Sequence, residues 1–406
     1  MRRFIVIVLD SFGVGAMADT PIVRPQDTGA NTCLHVLEAV PSLRLPNLCS
    51  LGLMNALGRE IAGMKFAPEA VYGTSDLMHV GADTFFGHQE IMGTRPKAPV
   101  LQPFREVAEQ THKRLVQAGY EVKQAGGLLT VDDRVAIGDN LETDAGQVYN
   151  VSGCLDLIDF EEVLEIGRIV RSVASVSRVI ALGGEGVGFE RLMQASAVKA
   201  NGRYAGIDTP SSGLYDQGYR VVHLGYGVDP REQVPYLLGS RGIDVSLIGK
   251  VADIVDNRFG RSLPGVRTED LFSVLFSEVE RMREGFICLN VQETDLAGHA
   301  QNAKRYAERL SVCDDRIGRL LERLGDEDIL VVMADHGNDP TIGHSRHTRE
   351  TVPILVRRRG VAGVHLGRRA TMSDIGATAA EFLGGPAPEN GQSFLNSLLV
   401  NSSKGA

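Results

Sequence analysis

The chain has 406 residues, 43% of them apolar and 23% charged, with a net charge of −9 and no tryptophan. That length exceeds what one hydrophobic core usually serves, so two domains are expected. The acidic balance, with no basic patch to neutralise phosphates, excludes a non-specific nucleic-acid binder, although bound cations would still admit a phosphorylated small substrate.

The chain opens with MRRFIVIVLD, in which six apolar residues are closed by Asp10. The run is too short for a signal peptide or a membrane span, and it reads as a first core strand over residues 3–9. No other segment is long and apolar enough for a bilayer. The loop DSFGVGAMADT follows. Five cysteines (Cys33, Cys49, Cys154, Cys288 and Cys313) are scattered without a CxxC pair, which fits a reducing, cytoplasmic setting rather than a disulfide framework. GADTFFGHQEIMG then offers Asp83, Thr84, His88 and Glu90.

The Pro-rich stretch RPKAPVLQPF (95–104) breaks the pattern. From there to about residue 226 come short strands with glycine turns, and helical stretches at 104–118 and 158–175. This reads as a smaller α+β cap domain, residues 98–226, inserted into a larger α/β domain formed by residues 1–97 and 227–406. PREQVPYLLGSRG followed by IDVSLIGKVADI repeats a helix-then-strand order. Strands are expected at FICLNVQ (286–292), ILVVMAD (329–335) and VPILVR (352–357). Between the first two, Tyr306, Leu310, Cys313, Ile317, Leu320, Leu321 and Leu324 keep a three-four spacing, and Gly325 is placed as a helix C-cap. The tail VNSSKGA is expected to fray.

Four loops at strand ends concentrate metal-binding side chains. Asp10 follows the first strand, Thr84 and its neighbours lie in the second loop, Asp295 and His299 follow FICLNVQ, and Asp335, His336 and His347 follow ILVVMAD. One such carboxylate alone would read as a helix cap. Carboxylate and imidazole converging from four distant segments instead suit Zn²⁺ or Mn²⁺. The set exceeds what one tetrahedral ion needs and fits two ions about 3.5–4 Å apart, as used for in-line phosphoryl displacement.

Taken together, VLDSFGVGA, DTFFGHQEIMG and ADHGNDPT with HTRETVPIL resemble the phosphopentomutase family of the alkaline phosphatase superfamily, and DTGANT (27–32) and IGKVADI (248–254) add to the match. The resemblance implies a core sheet sandwiched by helices with an inserted cap, a phosphosugar substrate, a sugar bisphosphate primer and two divalent metals, Mn²⁺ foremost with Zn²⁺ or Mg²⁺ as alternatives. It implies Asp10, Asp335 and His336 around one ion, and Asp295, His299 and His347 around the other. Thr84 would lie between them as the phosphoryl carrier, metal coordination being one way to activate a hydroxyl; an N-cap is its alternative role. Lys250 would meet the phosphate.

The chain also departs from that family. Three residues separate Asp295 from His299 where the family has four, as in cofactor-independent phosphoglycerate mutase. The cap segments that hold ribose phosphate are replaced by YNVSGCLDLIDF and VIALGGEGVGF, leaving Asp156 as a candidate for a sugar hydroxyl and Arg203 and Arg220 as phosphate partners on residue type alone. His344 stands where the family has threonine, as a supporting partner or a solvated loop residue. The expected activity is a phosphomutase interconverting ribose 1-phosphate and ribose 5-phosphate. Its rivals are a sister mutase, a two-metal phosphatase or phosphodiesterase, and a non-catalytic binding module.

Overall fold

A computed structural model describes residues 1–142 and 146–399, so the expected frayed tail lies outside the described residues. These residues fall into two compact units, Met1–Pro96 with the described residues from Asp229 onward, and Lys97–Val228.

The larger unit begins with β1 (Arg2–Leu9), buried from Arg3 to its end, and β2 (Val71–Ser75). The smaller unit contributes β3 (Val122–Ala125), β4 (Leu128–Val131), β5 (Val135–Asp139), β6 (Val148–Cys154), β7 (Arg178–Gly184), β8 (Ser196–Lys199), β9 (Tyr204–Ile207) and β10 (Arg220–Gly225). The larger unit resumes with β11 (Asp244–Ile248), β12 (Arg261–Leu263), β13 (Glu284–Val291), β14 (Ile329–Met333), β15 (Val352–Arg358) and β16 (Val364–Arg369).

The eight-stranded sheet of the larger unit runs β12-β11-β13-β1-β14-β15-β2-β16. The first five of these strands are mutually parallel, and β15 is antiparallel to both its neighbours. Strands covered on both faces read as continuous apolar runs, which is how β1, β13 and β14 appear in the sequence. Helices Thr268–Arg281 and Ala303–Leu321 pack together over one face; Thr84–Ile91, Val234–Gly239 and Ser373–Leu383 cover the other. The expected α/β core sandwiched by helices is therefore present. Because β1, β13 and β14 are adjacent and parallel, the loops that follow them emerge side by side.

The helix after β13 ends at Leu321, four residues before the expected cap glycine. Gly325 instead donates its amide to the Asp328 carboxylate at 2.7 Å, forming the turn into β14. Asp328 also receives Arg3: the backbone amide and Nε of this buried arginine reach Oδ1 at 3.0 and 3.1 Å, and Nη1 donates to the Val279 carbonyl.

The smaller unit has a six-stranded sheet, β10-β7-β6-β5-β4-β3, in which only β6 and β7 are parallel, plus the hairpin β8-β9. Its helices Ala108–Gln117 and Phe160–Val173 pack on a core of its own, including Phe104, Tyr149 and Val163. In the larger unit, the segments that lead into and out of this insertion are tied to each other. The Val234 amide donates to the Met92 carbonyl at 3.0 Å, and the Gln233 side chain donates to Thr94 Oγ1 at 2.8 Å and Gln89 Oε1 at 2.7 Å. Among the described residues no helix is long and apolar enough to cross a membrane.

Candidate metal centre

Asp10 stands one residue past β1, Asp335 and His336 just past β14, and Asp295 in the short helix Glu293–His299 after β13. Thr84 is the first residue of helix Thr84–Ile91. Its cap is Asp83, whose carboxylate accepts the Phe86 amide at 3.1 Å, so the Thr84 hydroxyl has no capping duty. That hydroxyl donates to Asp335 Oδ2 at 3.1 Å and lies 3.4 Å from Asp10 Oδ1, against His336 Nε2. The amino-terminal end of a helix also gives this position a favourable field for an anion.

Lys250 reaches deeper than the sequence indicates. Its ammonium donates to Asp10 Oδ2 at 3.0 Å and to Thr84 Oγ1 at 3.1 Å, and lies 3.7 Å from Asp295 Oδ2. Burial works against its charge, but Asp10, Asp295 and Asp335 outweigh it and hold the ammonium well above the usual lysine range.

The donor set fits divalent cations. One atom from each of Asp10, Asp335 and His336 lies within 4.8 Å of the others, and the same is true of Asp295, His336 and His347. His299 joins the second group, with Nε2 3.2 Å from Asp295 Oδ2; the three-residue gap is one helical turn and puts both side chains on one face. All three imidazoles are tethered through Nδ1 to backbone carbonyls: His336 to Gly337 at 2.9 Å, His347 to Ala82 at 2.8 Å and His299 to Ser345 at 2.7 Å. Such tethers fix the tautomer and turn each Nε2 lone pair into the site. Nε2 of His299 and of His347 face each other at 3.1 Å, an arrangement that needs a proton or a cation between them. Burial pulls His336 down to about 3, leaving it neutral and ligand-ready, and burial with the nearby Asp335 charge pushes Asp10 up to about 7.

Of the remaining sequence candidates, His88 lies behind Asp335, with Nδ1 3.3 Å from Oδ2. Glu90 is a buried latch that accepts the Met78 and Met372 amides and the Thr371 hydroxyl, away from the donor set. His344 is not a solvated loop residue: its Nε2 lies 3.1 Å from Oδ1 of buried Asp27. Asp156 is exposed in the smaller unit, where its carboxylate accepts the Gly186 amide at 2.6 Å. Arg203 and Arg220, in the same unit, lie over the rings of Tyr204 and Phe160.

Asn338 and Glu350, which sequence reasoning missed, and Ser11, which it offers as the alternative phosphoryl carrier to Thr84, support the ligands. The Asn338 side chain donates to Asp295 Oδ1 at 2.9 Å. The Ser11 amide donates to Asp335 Oδ1 at 3.1 Å from a left-handed backbone, φ 69°, that serine rarely adopts. Its hydroxyl meets Tyr306 rather than the donor set. Glu350, fully buried, gathers the Thr32 amide and hydroxyl, the Thr348 hydroxyl and the Gly15 amide. A charged residue in HTRETVP just before a strand is the only trace it leaves in the sequence.

Burial raises Glu350 from its ordinary 4.5 to about 7. The folded state therefore holds this proton more tightly than the unfolded chain does. The associated stabilisation is complete below pH 4.5 and is lost as pH rises through 7. Denaturant midpoints across that window should fall with pH more steeply in the native chain than in Glu350→Gln, which has no proton to lose.

The Metalloenzyme superfamily profile matches residues 2–387. The phosphopentomutase of Symbiobacterium thermophilum is 30% identical over 98% of this chain and 99% of its own length, and that of Desulfitobacterium hafniense is 32% identical over 98% and 100%. The chain belongs to the phosphopentomutase family of the Metalloenzyme superfamily. Like other members of that family it is a phosphomutase, an isomerase that uses divalent metal. The match spans the smaller unit as well as the donor set, so membership does not depend on the metal motifs alone. A Leishmania mexicana phosphoglycerate mutase structure superposes with a TM-score of 0.46 at 12% identity, covering 97% of both chains.

Proposed function

We propose that this phosphopentomutase-family enzyme interconverts ribose 1-phosphate and ribose 5-phosphate in the cytoplasm, through phospho-Thr84. The observation that carries the reading is the Thr84 hydroxyl, set at a helix start among Asp10, Asp335, His336 and Lys250. Asp10, Asp335 and His336 would hold one Mn²⁺, and Asp295, His299 and His347 a second. Bound there, the pair would lower the pKa of the hydroxyl and neutralise phosphoryl oxygens as charge spreads. Phospho-Thr84 passes its phosphoryl to the free hydroxyl of the sugar monophosphate, giving a bisphosphate, then takes one back from the other hydroxyl. Each half forms one P–O bond and breaks one, and a sugar bisphosphate primes the first cycle.

Lys250, kept cationic by three carboxylates, is suited to hold a phosphoryl oxygen rather than to accept a proton. Lys250→Met should lower kcat by about 10²–10³-fold, the range for losing one oriented donor, in steady-state assays with metal saturating. An unchanged kcat would remove Lys250 from the chemistry.

A sister mutase for another phosphorylated metabolite is favoured by one feature. The parallel strands β6 and β7 end in Gly153–Cys154 and Gly183–Gly184, and the first charged residues after them, Asp156 and Glu185, are acidic. Asp156 then serves as a partner for a sugar hydroxyl. Product analysis with a panel of phosphosugars, Mn²⁺ and a bisphosphate primer decides between the two. Conversion of ribose 1-phosphate supports the first, transfer within a different phosphosugar supports the second, and release of inorganic phosphate alone makes the protein a phosphatase.

A further inference from the structure

His88 is fully buried, one helical turn past Thr84 and outside the donor set. Its Nδ1 faces two acceptors, the Thr84 carbonyl at 3.0 Å and Asp335 Oδ2 at 3.3 Å, so this nitrogen carries a proton. Its Nε2 meets the Asn290 carboxamide at 3.0 Å, on the buried strand β13. The imidazole is thus braced from behind by one strand, while its front joins the residue bearing the hydroxyl to the carboxylate beside it. Neighbouring packing enforces the brace: a Cβ on Gly87 would stand 2.8 Å from the Asp335 carbonyl, so the helix and the loop after β14 meet at a position where only glycine fits.

We propose that His88 is a positioning residue for phosphoryl transfer, holding the Thr84 backbone and the Asp335 carboxylate in fixed register through a single shared N–H. The proposal rests on Thr84 being the phosphoryl carrier. It requires a donor at the Nδ1 position and assigns Nε2 only an anchoring task. Asparagine can place its carboxamide N–H where Nδ1 stands; glutamine places its own nearer Nε2. A role in folding alone would make the two substitutions equivalent.

The full-length enzyme and its His88→Ala, His88→Asn and His88→Gln variants are compared with Mn²⁺ and a sugar bisphosphate. Three quantities are read: phosphate on Thr84 by peptide mapping, kcat and KM separately, and Mn²⁺ affinity by calorimetry. His88→Ala and His88→Gln should lose about 10–100-fold in the rate of Thr84 phosphorylation and in kcat, the range for losing a group that orients a metal ligand, with KM nearly unchanged. His88→Asn should recover most of that loss. If His88→Ala does not fold, as judged by circular dichroism, the asparagine and glutamine pair still decides. Equal behaviour of that pair, or a change confined to KM, overturns the proposal while leaving phospho-Thr84 intact. A native enzyme that takes no phosphate on Thr84 overturns the parent reading, and this one with it.

Discussion

Thr84→Ala should abolish mutase turnover while leaving the fold and most of the metal affinity in place. Moving a phosphoryl group between two hydroxyls of one sugar, too far apart for direct attack, requires a carrier. Asp10, Asp335, His336 and Asp295 are matched to cations by their donor chemistry, and the Ser11 hydroxyl is turned to Tyr306. The Thr84 hydroxyl, which lies against Asp335 and Lys250, is the carrier we propose. Removing it takes one weak ligand from a set that keeps six carboxylate and imidazole donors, so metal titrations should shift little. The proposed covalent step, by contrast, would lose the hydroxyl that accepts the phosphoryl group from the bisphosphate, and the loss should fall on kcat. Peptide mapping of bisphosphate-primed native enzyme should place the phosphate on Thr84. Phosphate on Ser11 or a histidine, or an active Thr84→Ala enzyme, would overturn the mechanism.

Asp328→Ala should produce a loss of stability as large as that of truncating a buried core side chain, at a site away from the metal centre. Arg3 and Asp328 are both buried at the amino end of the parallel strands, with the guanidinium bonded to both carboxylate oxygens. Removing only the acid strands a buried cation whose remaining side-chain partner is the Val279 carbonyl, and it also frees the amides of Arg3 and Gly325. Breaking one side of such a pair costs about 3–5 kcal/mol. Chemical denaturation should show that loss, and the double variant Arg3→Met/Asp328→Ala should regain part of it because no charge is left unpaired. A single variant within 1 kcal/mol of native, about the median worth of a surface pair, would mean that solvent reaches the site.

The parts of this molecule that could be read from the sequence are those determined by local pattern. β1, β13 and β14 are buried on both faces, so they are written as apolar runs, and Asp10 and Asp335, two of the candidate donors, come directly after the runs of β1 and β14. Asp295 and His299 stand out in the sequence by residue type after an apolar run, while the helix that sets them one turn apart emerges only in the structure. What stayed hidden depends on partners far along the chain. His88 and Glu90 lie two residues apart in one motif, yet one braces Asp335 and the other latches Thr371, 281 residues away. Nothing near Arg3 in the sequence indicates a buried ion pair, because its partner Asp328 is 325 positions on. Gly325 shows the limit of local rules, since a cap glycine and a turn glycine are the same letter until Asp328 is seen to hold its amide.

The ties between Met92 and Val234, and between Thr94 and Gln233, have an evolutionary consequence. They close the larger unit across the point where the smaller one is spliced in, and every donor of the metal centre lies on the larger side. The stretch from Lys97 to Val228 could therefore be exchanged for another fold between two fixed stumps without rebuilding the donor set. A gene with a short linker in place of the insert would test whether the larger unit folds and binds divalent metal by itself.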